Sequence, residues 1–503
     1  MKNLAHKNIL ILGLGASGLA LARWCACHGA NVTVADTRPA PPQRASLQAS
    51  VPAAKFVNAA MDAALLAGAG FDLVLKSPGL SPASISGVVA AAQAQGIPCG
   101  NELSLFAQAL ADLKDERAYA PKVIGITGTN GKTTVTSLAG QLVQRAGKSV
   151  AVAGNIGPTL LDTLSEKLDA QLGAEAVALP EVWVLELSSF QLDGVTNFEP
   201  TVATVLNITQ DHLDWHETLP AYIAAKAHVY GSAGLMLLNR NDPRVMAALP
   251  TAVKGKPTRG HLTFGGDEPS RPGDYGIQTV NGMAWLVRAA EADETIKRRK
   301  TEELVLHIQR LMPLEALRIH GLHNATNALA ALGLAVAVGC PLAPMLHGLR
   351  EYRGEPHRVE SVAVLDGVEY FDDSKGTNVG ATVAALAGLG AGRKLGLILG
   401  GEGKGQDFSP LADPVSRHAR AVVLIGRDAP LIRAALQNTR VELLDAASMQ
   451  EAVSLAAGQA HAGDAVLMSP ACASFDMFDN YQHRAKVFCD AVQELAVEQG
   501  AVL

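Results

Sequence analysis

Short apolar runs that end abruptly in glycine or a small polar residue recur along the chain. Each is the pattern of a strand buried on both faces of a parallel sheet and running into a loop at its C-terminal end. Near the start, Asn8 to Leu12 leads into Gly13-Leu14-Gly15-Ala16-Ser17-Gly18, then a helical stretch to His28, then Asn31 to Ala35 closed by Asp36. That order predicts strand, turn, helix, strand. A second region opens with Val123 to Ile126 and a Gly-rich loop, with further strands expected at Trp183 to Leu187 and Ala203 to Asn207. A third begins near His357 and holds Leu395 to Leu399, Ala421 to Ile425 and Ala465 to Met468, each followed by Gly, Ser or Pro. The fold class is therefore α/β, with three successive parallel-sheet units. The charged stretch Asp112 to Arg117 before Pro121, and Arg353-Gly354-Glu355-Pro356, read as linkers, which divides the chain into 1–110, 111–355 and 356–503.

Length agrees with that division, since 503 residues exceed what one core ordinarily organises. With 48% hydrophobic, 18% charged and 4% aromatic residues, the composition is globular and unlike that of an aromatic-stacking nucleic-acid binder. A net charge of -6 favours neither a polyanion nor an anionic membrane, so anionic ligands must be held by local geometry. Six cysteines, Cys25, Cys27, Cys99, Cys340, Cys472 and Cys489, form no CxxC pair and no zinc spacing, which fits a reducing compartment. Glycines interrupt the apolar run near the N-terminus, arguing against a signal peptide. Gly339, Pro341 and Pro344 break the Ala-rich stretch from Ala328, arguing against a membrane span. A cytoplasmic protein is expected, with Glu291 to Glu303 as a solvated charged insertion.

The strongest chemical signal is Gly125-Ile-Thr-Gly128-Thr129-Asn130-Gly131-Lys132-Thr133-Thr134, a Gly-rich loop after a strand. Backbone N–H groups there can meet phosphate oxygens, Lys132 the terminal phosphates, and Thr133 a magnesium ion. Its spacing departs from the strict Walker form. Gly13, Gly15 and Gly18 with Asp36 look like a dinucleotide site in which the acid bonds a ribose hydroxyl, a pattern that suits a uridine diphosphate as well as NAD. An NAD-dependent oxidoreductase is therefore the runner-up, although a complete ATP site has no purpose in one. Downstream lie Gly154-Asn155-Ile156-Gly157, Glu186-Leu-Ser-Ser-Phe-Gln191 and Asn207-Ile-Thr-Gln-Asp211-His212-Leu-Asp214, whose carboxylates and imidazole could hold magnesium against phosphates. Lys226, on a probable helix, reads from its own pattern as a surface residue. In the third region Lys375, Lys404 and Ser474 follow strands and could receive the carboxylates of a small acidic substrate.

Taken together, these motifs resemble the Mur ligase family over nearly the whole chain, with the motifs in the same order. Asp373-Ser374-Lys375-Gly376-Thr377-Asn378 and Ser469-Pro-Ala-Cys-Ala-Ser474 look most like the member that takes D-glutamate, and the Asn-Pro-Arg signature of the diaminopimelate-adding member is missing. The resemblance implies a Rossmann-like N-terminal domain, a central P-loop ATPase sheet and a Rossmann-like C-terminal domain. It implies an ATP-dependent carboxylate-amine ligase of peptidoglycan precursor synthesis, joining D-glutamate to UDP-N-acetylmuramoyl-L-alanine through an acyl-phosphate, with ATP and two magnesium ions as cofactors. Gly15, Ala16, Ser17, Asp36, Thr37, Arg38, Ser77, Pro78 and Gly79 become contacts to the uridine nucleotide. Gly128 to Thr134, Asn155, Asn327, Arg358 and Asp373 surround ATP, and Lys375, Thr377, Lys404, Ser474 and Tyr481 surround D-glutamate. Lys132, Glu186, His212 and Lys226 are the implied catalytic set. Thr133, Glu186, His212 and a carbamylated Lys226 are the implied metal ligands. A monomer without nucleic-acid partner or membrane insertion is expected. The chain departs from the family at Tyr481, usually Phe, at Gly376, usually Ala, and in extra length around 286–316. Another Mur ligase, a folylpolyglutamate-type ligase and a non-enzymatic nucleotide switch remain the alternatives.

Overall fold

Three stretches of the chain each close into a largely parallel sheet in the computed structural model, which describes residues 4–173, 176–251, 258–291 and 305–500. The first contains β1 (Asn8–Leu12), β2 (Asn31–Asp36), β3 (Lys55–Asn58), β4 (Leu73–Lys76) and β5 (Cys99–Asn101), in the spatial order β3-β2-β1-β4-β5 with every pair parallel. Winding reverses at β1, so the loops leaving β1 and β4 face one crevice at the C-terminal sheet edge, where ligands of such sheets bind. Those loops carry Gly15 to Ser17 and Ser77 to Gly79.

The second sheet contains β6 (Lys122–Thr127), β7 (Val150–Gly154), β8 (Val182–Glu186), β9 (Val202–Val205), β10 (Leu235–Asn239) and β11 (His261–Phe264), ordered β11-β10-β9-β6-β8-β7 and all parallel. Every residue of β8 and β9 is buried, as a strand covered by helices on both faces requires. A small antiparallel sheet of β12 (Tyr275–Val280), β13 (Met283–Glu291) and β14 (Leu306–Pro313) follows. Helix Leu322–Ala337 then returns to pack on helix Lys132–Arg145 and bury Leu329 and Leu332 against it.

The third sheet holds β15 (Glu360–Leu365), β16 (Val368–Asp372), β17 (Leu395–Gly400), β18 (Ala419–Ile425), β19 (Glu442–Asp445) and β20 (Ala465–Met468), ordered β15-β16-β20-β17-β18-β19. Only β15 runs antiparallel to its neighbour. All six residues of β17 are buried between two apolar layers.

The structure differs from the sequence reading in two places. Asp112 to Arg117 is the end of a continuous helix, Glu102–Arg117, rather than a linker. Its charges are solvated on the outer face while Leu103, Phe106 and Ala109 are buried. The antiparallel sheet β12–β14 is not among the expected elements, because β12 and β14 interleave polar with apolar residues and the apolar run of β13 is not followed by a glycine-rich loop. The expected charged insertion falls, apart from Glu291, outside the described residues. Among the described residues, no helix is long and apolar enough to cross a membrane.

Gly18 shows why the first turn is glycine-rich. A Cβ on it would lie 2.1 Å from the Gly13 carbonyl oxygen, so helix Ala16–Cys27 can approach β1 only without a side chain there. Gly18→Ala is expected to lower stability by about 1–3 kcal/mol through the forced shift. An unchanged denaturant midpoint would contradict that packing.

Candidate active site

The chain leaves β6 into Gly128 to Gly131 and enters helix Lys132–Arg145 with no side-chain cap, which leaves first-turn N–H groups for a ligand. Gly131 has φ +82° and a Cβ on it would sit 2.7 Å from Asn327 Oδ1, so glycine is needed both for the turn and for the approach of Asn327. Lys132 Nζ donates to the carbonyls of Gly128 (2.9 Å) and Thr129 (2.8 Å). Asn207 steadies the loop, its side chain accepting from Asn130 N (2.8 Å) and donating to Asn130 O (3.0 Å).

One cavity of roughly 610 Å³ is lined by Lys132, Thr133, Asn155, Glu186, His212, Lys226, Arg358, Lys375, Thr377 and Tyr481 among others. The structure thus brings together all four expected catalytic residues and part of the expected amino-acid site. Glu186 ends β8 and is 1% exposed. Its Oε1 accepts from Asn155 Nδ2 (2.7 Å), while the buried Oε2 has no hydrogen-bond partner. A buried carboxylate oxygen left unpaired is costly, and its position fits a metal ligand. His212 stands at the start of a short helix with φ +54°. Burial lowers its proton affinity and the nearby Lys132 and Lys226 act the same way, against Asp211 and Asp214, so the ring is held toward its neutral, metal-binding form.

Lys226 corrects the surface-lysine reading. It lies on helix Leu219–Ala227 but is 2% exposed, because that helix packs directly under the phosphate loop. Nζ donates to Gly128 O (2.8 Å) and Thr127 Oγ1 (3.3 Å) and lies 4.6 Å from the Tyr222 ring centroid. Burial depresses its proton affinity well below that of an ordinary lysine, the charge of Lys132 adds to this, and Asp211 opposes it.

From the third sheet, Arg358 Nη2 donates to Thr133 Oγ1 (2.6 Å). Asn378 exchanges side-chain hydrogen bonds with Asn130 at 3.0 and 3.2 Å while capping helix Val379–Leu389. A second cavity of roughly 260 Å³ adjoins the first and is lined by Asn130, Gly131, Thr134, Asn327, Arg358 and Asp373 among others. Asp373 Oδ2 accepts from Ser469 Oγ (2.6 Å). A Cβ on Gly376 would sit 2.5 Å from that same Oδ2, so the glycine makes room for the rotamer Asp373 adopts.

Lys375 Nζ lies 3.9 Å from the Tyr481 ring centroid, a cation–π contact. Burial, Arg358 and Lys132 bring its pKa down to about 8. Thr377 and Lys404 share a smaller cavity with Asp211 and His212. Ser474 is buried and lines none of these three cavities. Asn378, Tyr222 and His357 also line the main cavity, although the sequence singled out none of them as site residues. Only Asn378 carried a signal, lying in the Asp373 to Asn378 loop.

The N-terminal residues form a separate cluster. Asp36 Oδ2 accepts from Leu14 N (2.8 Å) and Arg38 Nη2 (2.8 Å), and Oδ1 accepts from Arg38 N and Nε (both 2.9 Å). These four bonds fill the acceptor sites of a carboxylate, and the Arg38 guanidinium holds its pKa at about 2. The acid of a dinucleotide site is therefore already spent, and its effect is to orient Arg38. Ser77 N donates to Leu12 O (2.8 Å), which seats the Ser77-Pro78-Gly79 turn against Gly13 and Gly15, while Thr37 is exposed beside Arg38.

Comparison with known proteins agrees with this arrangement. Family models described as "Mur ligase MurD-like, N-terminal domain", "Mur ligase middle domain" and "Mur ligase, glutamate ligase domain" match residues 7–100, 126–335 and 357–472. A protein of Albidiferax ferrireducens named UDP-N-acetylmuramoylalanine–D-glutamate ligase is 67% identical, covering 100% of this chain and 99% of that one. Proteins of the same name from a Polaromonas species and from Burkholderia thailandensis are 62% and 57% identical, covering 100% and 98% of both chains. Among solved structures, a MurF ligase from Thermotoga maritima in complex with ADP shares the fold at TM-score 0.56 and 15% identity, covering 99% of this chain and 97% of that one. The UDP-N-acetylmuramate-alanine ligase of the same organism does so at 0.54 and 18%, covering 97% and 100%.

Asp373 gives the site a pH signature. Burial pushes its carboxyl from 3.8 up to about 7. Between those values the folded chain keeps a proton that the unfolded chain has lost, so this group's contribution to stability falls as pH rises through that window. Asp373→Asn is expected to flatten the fall, read from denaturant midpoints at about pH 4 and about pH 7.5. Parallel pH curves for the two proteins would refute the assignment.

Proposed function

The chain belongs to the Mur ligase family, and we propose that it joins D-glutamate to the alanyl carboxylate of UDP-N-acetylmuramoyl-L-alanine through an acyl-phosphate, in cytoplasmic peptidoglycan precursor synthesis. It is an ATP-dependent ligase that uses magnesium and forms ADP and phosphate. The observation that carries the reading is the single cavity in which Lys132 of the phosphate loop, Glu186 with its unpaired Oε2, His212 and a buried Lys226 converge. The filled carboxylate of Asp36 disfavours the oxidoreductase alternative.

In this reading the segments 1–110, 111–355 and 356–503 take the uridine nucleotide, ATP and D-glutamate in turn. Gly15 to Ser17, Arg38 and Ser77 to Gly79 hold the nucleotide at the first sheet's C-terminal edge. Gly128 to Thr134 hold the ATP phosphates, with Asn155, Asn327, Arg358 and Asp373 around them. Lys375, Thr377, Lys404, Ser474 and Tyr481 receive D-glutamate. An alanyl carboxylate oxygen attacks the γ-phosphorus and the bridging P–O bond breaks toward ADP. The D-glutamate amine then attacks the acyl carbon, loses a proton, and phosphate departs with the C–O bond pair. Lys132 and Arg358 act by charge and position on the moving phosphoryl group.

The open Oε2 of Glu186 and the neutral His212 fit magnesium, with Thr133 and Lys226 completing the proposed set for two ions. Bound there, the ions would offset charge on the phosphates and on the attacking carboxylate. Lys226 fits the set as a carbamate. An uncharged amine adds to carbon dioxide, forming an N–C bond and shedding one proton, and the environment of Lys226 already favours the uncharged form.

Phosphate release from ATP with the nucleotide substrate is expected to require D-glutamate and to stay at background with L-glutamate or diaminopimelate. Release with a different acceptor would move the substrate, and none at all would sink the ligase reading. Lys226→Ala should lose most activity and regain part of it with added short carboxylic acids. Full activity in that variant would mean that no carbamate is needed.

A further inference from the structure

Glu102 has no part in the chemistry above, yet it is 2% exposed. It is the first residue of helix Glu102–Arg117, whose N-cap Asn101 donates through Nδ2 to Gln191 O (2.9 Å) in the segment that follows Glu186. Glu102 Oε1 accepts from Leu161 N (3.0 Å), at the start of the 13-residue helix Leu160–Leu172. That helix has no side-chain cap from its own Thr159, whose hydroxyl turns to Asp162 instead (2.9 Å). Glu102 therefore caps it from another part of the chain, where an anion is favoured.

The same carboxylate faces the first sheet. Burial raises its proton affinity above that of an ordinary carboxyl, the Ser17 hydroxyl and the Leu161 and Leu160 N–H groups beside it oppose this, and Oε2 is buried with no hydrogen bond of its own. A cap alone needs one oxygen, and burying a second unpaired one is unfavourable. The surroundings of Glu102 account for it better. Ser17 lies in the β1 loop assigned to the nucleotide. Leu160 follows the turn in which Gly154 N donates to Pro158 O (2.8 Å), and next to Gly154 is Asn155, which holds Glu186. Glu102 is thus where the nucleotide loop meets the arm that carries the carboxylate of the metal site.

We propose that Glu102 is a positioning residue that fixes the Ser17 loop against the Asn155–Glu186 arm, so that a nucleotide held by the first sheet presents its carboxylate to the phosphate loop. The inference rests on the nucleotide assignment made under Proposed function. The test compares wild type, Glu102→Gln, Ser17→Ala and the double variant of the full chain. The readouts are kcat and KM for UDP-N-acetylmuramoyl-L-alanine, affinity for an ATP analogue, and Tm. Glu102→Gln is expected to lower kcat/KM for the nucleotide by about tenfold or more, as misplacement of a substrate by a change away from the chemistry does, with ATP-analogue affinity within about twofold. The losses in the double variant should be less than additive, because both changes break the same link and Ser17→Ala removes a nucleotide contact besides. Wild-type kinetics in Glu102→Gln, losses that multiply in the double variant, or nucleotide and ATP affinity falling together with Tm would each overturn the proposal. Should Glu102→Gln not fold, Glu102→Asp decides: a fall in kcat supports misplacement of the carboxylate, and wild-type kcat overturns it. A wild-type chain that releases no phosphate with D-glutamate would instead refute the ligase reading, and this link with it.

Discussion

Two lysine amines, Lys132 and Lys226, donate to the same carbonyl oxygen, that of Gly128 (2.9 and 2.8 Å). Two full positive charges cannot share one such point in a low-dielectric cavity without a large penalty. The groups around them answer that constraint. Burial lowers the proton affinity of both amines, opposed by Glu186 and Asp211 at Lys132, while at Lys226 burial and the charge of Lys132 together take it well below that of an ordinary lysine. Burial, with the same two amines, lowers the proton affinity of the His212 ring as well. The electrostatics of the cavity are thus a response to where the phosphate loop sits on β6.

The three sheets serve that loop as frames. Each presents its C-terminal strand ends inward: β1 and β4 in the first, β6, β8 and β9 in the second, β16, β17 and β20 in the third. The groups that reach across from the third sheet are polar and specific, Arg358 to Thr133 and Asn378 to Asn130. Between the first two sheets, the Lys76–Asp193 ion pair (2.5 Å) and the Asn101–Glu102 corner do the corresponding work.

Much of this was legible in the sequence, because a strand buried on both faces must be apolar and its functional loop must follow it. The runs at Asn8, Val123, Leu395 and Ala465 were readable for that reason, and so was the loop Gly128 to Thr134. What could not be read depends on contacts between distant segments. Lys226 has a surface residue's helical context, and only the packing of that helix beneath Gly128 buries it. Asp36 has the right offset for a ribose, but Arg38, two residues on, and Leu14, across the sheet, use up its oxygens. Asp112 to Arg117 looked like a linker because solvated charge on a helix and solvated charge in a loop have the same composition. In the β12–β14 sheet, β12 and β14 interleave polar with apolar residues, and the apolar run Met283 to Val287 of β13 has no glycine-rich loop after it to mark a parallel strand.

The Asn130–Asn378 pair ties the phosphate loop to the third sheet through two matched amides and no net charge. An ion pair at that seam would weaken with salt and would expose an uncompensated charge each time it parted. Two amides part to find equivalent partners in water, so the exchange is nearly balanced and indifferent to ionic strength. Such a contact sets the register between the phosphate loop and the third sheet while leaving no buried charge behind if it parts.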